Sequence, residues 1–238
     1  KVDAKPLIET LTLTFISSLS QWERSFRLKN LYNSRLLILD AENTENSETN
    51  FSTVLNLHGD TANLKNFLTN WEHFGVVRIE SPVRLSRLDP TLSFITLTRQ
   101  SNRFQRIPLS ALYEEPFESH LMVMAEVEHE YDPFLSLSST SLLLEGLVFK
   151  GYPGVLLHTG KPDPALHHEM MEHFMANIRK KNPAESLGSA QRKLAKKYPV
   201  NFEWAQYRYY GFPGMSDEEK EAFAEEHFQA NLQKGASA

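Results

Sequence analysis

Five side chains able to titrate or to hold a cation crowd the end of LMVMAEVEHEYD, residues 121–132: Glu126, Glu128, His129, Glu130 and Asp132. They follow an aliphatic run, the pattern of a buried strand that delivers acids and one imidazole to the end of a sheet. Carboxylates in such a set suit a hard cation such as calcium or magnesium, and an imidazole suits proton transfer. The ligand spacing of a calcium loop is absent, so we read the cluster as a solvated strand end. Ser81, in ESPV at residues 80–83, is a hydroxyl that could pair with His129 across neighbouring strand ends. That pair would be the nucleophile and base of a hydrolase, although a serine ahead of proline is commonly a turn residue.

HHEMMEH, residues 167–173, invites comparison with the zinc signature H-E-x-x-H. His168 and His173 are five apart, which on a helix of 3.6 residues per turn puts them on different faces. Glu169 and His173 are four apart and share a face, which we read as a polar helix surface. No metal or cofactor is expected.

Composition narrows the classes further. The chain has 238 residues, 41% of them hydrophobic, enough for one substantial core. It contains no cysteine, which excludes disulfides, thiolate metal sites and a cysteine nucleophile. A formal net charge of -5 argues against nucleic acid or an anionic membrane as a partner. The basic clusters at 179–181 and 192–197 are read as favourable charges at the ends of two helices. No apolar run approaches the length of a membrane span. A start at Lys1 and the tail LQKGASA suggest a piece of a longer protein. The compartment stays open, with the cytoplasm favoured.

These candidates need elements to position them. Residues 9–15 alternate like a half-buried strand, and Ser18 or Ser20 caps a following helix. RLLILD, 35–40, reads as a buried parallel strand emptying into a polar loop. Leu64, Phe67, Leu68 and Trp71 share helical spacing in STVLNLHGDTANLKNFLTNWEHF, with Asp60 or Thr61 as the cap. GVVRIESPV is a strand stopped by Pro82. Residues 91–113 pattern as a hairpin with its turn at RQSNR, then a helix from near Ser110. SHLMVMAEV and GVLLHTG are core strands, with a covering helix between them. PALHHEMMEHFMANIRKK is a helix with Leu166, Met170, Phe174 and Ile178 on one face, and Asn182, Pro183 and Glu185 start another. WAQYRYYGF is a closing strand. The acidic helix after it carries a stripe of Phe223, Ala224, His227, Phe228 and Leu232, a surface for a partner or for its own chain. Strands alternating with helices imply a mostly parallel sheet covered on both faces.

The order of these pieces resembles the CHAT domains, caspase-like peptidase domains commonly found in bacteria behind tetratricopeptide repeats. PLIETLTLTFISSLSQW resembles the family's entry strand and helix start, HGDTANLKNFL its next helix start, and WAQYRYYG its closing strand. KGYPGVLLHTGKPDPALHHEMMEHFMANIRKKNPAESLGSAQRKLAKKYP resembles its glycine-led strand, Trp-Pro-Val-Asp-Asp turn and two helices. The resemblance implies an α/β fold, a caspase-like three-layer sandwich, over residues 1–212, with a helical appendix at 213–238. In active members the catalytic histidine and cysteine end two neighbouring strands, and here those positions fall on Pro82 and Val127. Proline has no proton to exchange and valine can neither attack nor ionise, so thiol chemistry has no basis. The turn's tryptophan is replaced by Gly160, and Asp163 remains.

The expectation is therefore a pseudo-peptidase that acts by binding, a scaffold or regulatory module rather than an enzyme. Its groove would be ringed by Arg78, Glu80, Glu126, Glu128, His129 and Asp163 and would favour a protein or peptide with basic side chains, beside an upstream repeat domain in the same chain. A hydrolase built on Ser81 and His129 is the alternative.

Overall fold

The computed structural model describes residues 35–40, 51–86, 92–100, 103–114, 121–129, 140, 143, 144, 146, 147, 152, 154–178 and 180–211. The entry strand at 9–15, its helix and the appendix at 213–238 lie outside the described residues.

Aliphatic runs set the sheet. β1 (Arg35–Asp40) is buried from Leu36 onward, with Leu37 and Leu39 facing one side and Leu36 and Ile38 the other. A strand buried on both faces must be apolar at successive positions, which is why these strands read as runs rather than alternations. β1 lies between β2 (Thr53–His58) and β3 (Val76–Ile79), and β3 lies against β7 (Leu121–His129), all parallel. Beyond β7 come β8 (Gly154–Thr159), parallel, and β9 (Tyr207–Gly211), antiparallel. The main order is thus β2-β1-β3-β7-β8-β9.

A second branch grows from the far half of β7. There β4 (Val83–Leu85) pairs in parallel with Val127 to His129, and β5 (Phe94–Gln100) and β6 (Arg103–Pro108) extend it as an antiparallel hairpin. Two expectations change here. The strand at GVVRIESPV ends at Ile79 and restarts at Val83, so Glu80, Ser81 and Pro82 interrupt it rather than end it. Residues 53–58, grouped above with a helical segment, form the strand β2.

Helices cover both faces. On one side α1 (Leu64–Asn70) packs Phe67, with Trp71 just after it, against Leu37, Leu39, Val77 and Ile79, and helical Leu143, Leu144 and Leu147 join them. Its cap is Asn63, whose side chain accepts from the Asn66 N–H at 2.9 Å, in place of Asp60 or Thr61. Thr61 instead bonds the backbone N–H and C=O of His58, closing the turn at Gly59, φ 50°. The short α2 (Ala111–Glu114) follows β6.

On the other side α3 (Pro164–Asn177) and α4 (Pro183–Lys197) bury Leu166, Met170, Phe174, Ile178, Leu187 and Leu194 against Leu36, Ile38, Val123 and Leu156. Asp163 and Asn182 cap them through the Leu166 and Glu185 N–H groups. Residues 203–206 form a 3-10 turn, so the closing strand starts at Tyr207 rather than at Trp204. Glu169, weighed above as a metal partner of His173, accepts from Lys197 Nζ at 2.6 Å and from the Tyr198 hydroxyl at 2.8 Å. It ties α3 to α4, which accounts for that acid without a metal.

β8 and β9 meet closely. A Cβ on Gly154 would collide with the hydroxyl and ring of Tyr209, a buried side chain with no room to swing aside. Gly154→Ala is expected to cost about 1–3 kcal/mol, the range for overpacking a tight interior, measured as a lower urea midpoint at unchanged slope.

Candidate functional site

Parallel register brings the strand ends level. Leu39 faces Ile79, and Ile79 faces Met124, so Asp40, Glu80 and Ala125 form the next row, all on the side covered by α3. Met124 faces Leu157, which extends the row to His158, and His158 faces Tyr207. Five neighbouring strand ends therefore present two carboxylates, an imidazole and a phenol beneath the start of one helix.

His167, in the first turn of α3, reaches down into this row. Its Nε2 lies 2.7 Å from Glu80 Oε2 and its Nδ1 lies 2.8 Å from the Tyr207 hydroxyl. Glu80 also pairs with Arg78, one row deeper and only 3% exposed. Burial raises the Glu80 carboxyl, but the Arg78 charge and the His167 contact outweigh it and hold the group at about 2. Burial, reinforced by the Glu80 and Glu203 charges, pushes Tyr207 well above the phenol range, so its hydroxyl keeps its proton. His158 packs at a tilt against Tyr207 with centroids 4.5 Å apart, and its Nδ1 lies 3.2 Å from the Gly160 carbonyl. Burial lowers the pKa of His158 against the opposing pull of that carbonyl.

Above the row opens a pocket of about 340 Å³, lined by Asp40, Glu80, Ser81, Pro82, Arg84, Ala125, Glu126, Glu128, Lys161, Pro162, Pro164 and His167. It lies at the carboxyl ends of the parallel strands, where open α/β sheets hold ligands. The break at Glu80-Ser81-Pro82 creates it, because β3 stops and β4 resumes farther along β7.

Of the residues expected from sequence, Glu80, Glu126, Glu128 and Pro82 line this pocket. Val127 does not: its side chain is fully buried in the core that includes Val83, and its carbonyl accepts from Gly160 N–H at 2.7 Å. Pro82 directly precedes β4, which pairs with β7 so that Val83 faces Val127. Arg78 sits below the pocket as the partner of Glu80, a correction to its expected place on the groove wall. Asp163 is corrected likewise: its carboxylate is spent as the cap of α3, and its backbone N–H is bonded to Glu203. His129 ends β7 opposite Leu85.

Leu85 is level with His129 and Ser81 lies four residues earlier, a separation of roughly 13 Å along the strands. His167 is nearer to Ser81's end of the pocket, but both of its ring nitrogens are committed. Neither can accept a serine proton without giving up Glu80 or Tyr207.

Asp40, Arg84, Lys161, His167 and Tyr207 were not picked out from sequence. Glu80 and His167 are 87 residues apart, and only the fold joins them. Glu128 pairs with Arg84 across the β4–β7 register. Among the described residues no group of three or more histidines and acids is arranged to hold a metal ion, and no helix is long and apolar enough to cross a membrane.

No family model matches the chain, and no curated protein is similar to it in sequence. Among solved structures, the chain is similar to the complex of Porphyromonas gingivalis RgpB pro- and mature domains, with a TM-score of 0.50 and 9% identity, over 81% of this chain and 52% of that one. The chain thus spans about half the length of that structure's chain. The likeness is one of fold, and the fold is the caspase-like α/β sandwich expected from the sequence.

Proposed function

We propose that this caspase-like domain is a non-catalytic, CHAT-like module that binds a partner protein at its strand ends, reading a basic side chain in the pocket. One observation carries the reading. At the two adjacent strand ends where this fold would place a dyad, Pro82 offers no proton, Val127 points into the core, and the chain contains no cysteine.

Charge selects the kind of partner. Four carboxylates line the pocket (Asp40, Glu80, Glu126 and Glu128) against two permanent cations, Arg84 and Lys161. Arg78 pairs with Glu80, and Arg84 pairs with Glu128. By formal charge the four carboxylates outnumber Arg84, Lys161 and the Arg78 beneath them, so an arginine or lysine side chain gains Coulomb energy on entering while an acidic one loses it. The volume suits one long side chain rather than a folded surface. In a longer chain, repeats preceding this segment would supply the rest of a scaffold.

A peptide array tests the pocket directly. Arginine- and lysine-bearing peptides are expected to be retained over their glutamate counterparts, and Glu126→Lys, a reversal of one half-buried wall charge, to reduce retention at least tenfold. Equal retention by wild type and Glu126→Lys would remove the pocket from the account.

A further inference from the structure

The two most exposed large apolar side chains among the described residues are near neighbours in the chain: Val200 is 89% exposed and Phe202 66%. They stand on a fastened turn. Gln191 of α4 donates to the Trp204 and Tyr207 carbonyls, Asn201 N–H bonds the Tyr198 carbonyl, and the Asn201 side chain accepts from Glu203 N–H at 2.9 Å. Phe202 packs at a tilt against Trp204. The end of α4 leads into this ledge and carries Lys193, Lys196 and Lys197, all exposed. Glu169 holds Lys197, while Lys196 has no hydrogen bond or ion pair to any described residue. Along the chain the surface therefore offers cations first and apolar side chains second.

The stretch after β9 has the matching order. Residues 212–238 hold six acids and two lysines, and so carry four of the chain's five net negative charges. In the acidic helix expected there, Glu221, Glu225, Phe228 and Leu232 are spaced i, i+4, i+7 and i+11, a single face with its acids first and its apolar side chains second.

The path of the chain lets these two faces meet. α3 and α4 are antiparallel, since Glu169 and His173 of α3 reach Lys197 and Lys193 of α4. α4 therefore rises toward the pocket end of the sheet, and β9 descends from it to Gly211, level with Gly154. A segment leaving Gly211 must rise again to reach the ledge, in the direction of α4. Lys193 and Lys196 stand roughly 15–20 Å above the start of α4 at 1.5 Å per residue. About five extended residues followed by two helical turns span that height.

We propose that residues 217–232 dock in cis on this ledge, parallel to α4, with Glu221 and Glu225 facing Lys193 and Lys196 and with Phe228 and Leu232 covering Val200 and Phe202. Tethering gives this occupant an effective concentration that a free partner seldom matches. The proposal stands apart from the pocket's reading of basic side chains.

Because the chain has no cysteine, a nitroxide can be attached at a single site, Ala205→Cys, an exposed position beside the ledge. Paramagnetic broadening of amide resonances is then read in the full 238-residue chain. Amides of 221–232 are expected to lose intensity roughly twofold or more, the mark of a predominantly docked population. Val200→Ser with Phe202→Ser should restore most of that intensity. Lys193→Glu with Lys196→Glu should restore it too while leaving the apolar ledge untouched, and added salt should weaken the broadening. Unchanged core resonances show that each variant is folded. Full intensity at 221–232 with both ledge and lysines intact overturns the docking. Broadening that survives both double variants overturns the ledge as its seat. A mixture of isotope-labelled chain without nitroxide and unlabelled chain with it should show no broadening; broadening there as strong as within one chain assigns the contact to a second copy and overturns docking in cis.

Discussion

Arg78→Met is expected to lower the unfolding free energy by about 3–5 kcal/mol, the cost of stripping a buried carboxylate of its counter-charge. Glu80 is the group left exposed to that cost, buried under α3 with His167 as its remaining partner among the described residues. The pair itself is not the source of the loss. Replacing both, as Arg78→Met with Glu80→Gln, removes the stranded charge and keeps an acceptor for His167, so most of the stability should return. Urea titrations of wild type, single and double variants measure this, and a double variant as unstable as the single would show that Arg78 matters for packing instead.

The same carboxylate sets an acid limit. Its folded value of about 2 lies below the unfolded 4.5, so its contribution is complete above 4.5 and is lost as the pH falls toward 2. The shift corresponds to about 3 kcal/mol. Glu80→Gln should therefore flatten the stability profile between those two pH values and leave its slope above pH 5 unchanged.

The second large effect concerns Val127. A cysteine placed there, alone or with Pro82→His, is expected to stay unmodified by iodoacetamide in the folded protein, at least a thousandfold slower than in urea. The position faces the core, with no exposed surface, and a thiol there is reached only when the domain opens. The double variant should accordingly cleave nothing. Rapid labelling under native conditions would mean that the strand end presents this residue to solvent, and the pocket would then need redrawing around it.

Much of the fold was legible because sheet strands buried on both faces have little choice of composition. RLLILD, LMVMA and GVLLHT announce themselves as runs, and the capping residues Asp163 and Asn182 mark the two long helices. β2 escaped because it lies at the edge of the sheet among the described residues, with Val54 39% exposed, and its three aliphatic residues merge by eye into the helix that follows. The site was legible only by halves. Strand-end acids at 80, 126 and 128 stand out in sequence, while their partners come from places set by topology. His167 arrives from a helix whose cap was visible, but nothing local says that its first turn lies above Glu80. Arg78 was expected on the groove. Its actual task is to make Glu80 tolerable in the interior. Asp163 similarly had one carboxylate to give, and the helix start takes it.

The most direct test is to incubate the wild-type chain with a mixture of arginine- and lysine-containing peptides and follow both retention and intact mass. The account predicts peptides held by the protein and recovered at unchanged mass after prolonged incubation, with retention lost in Glu126→Lys. Shortened peptides accumulating in proportion to protein, and ceasing to do so in Ser81→Ala or His167→Ala, would contradict it.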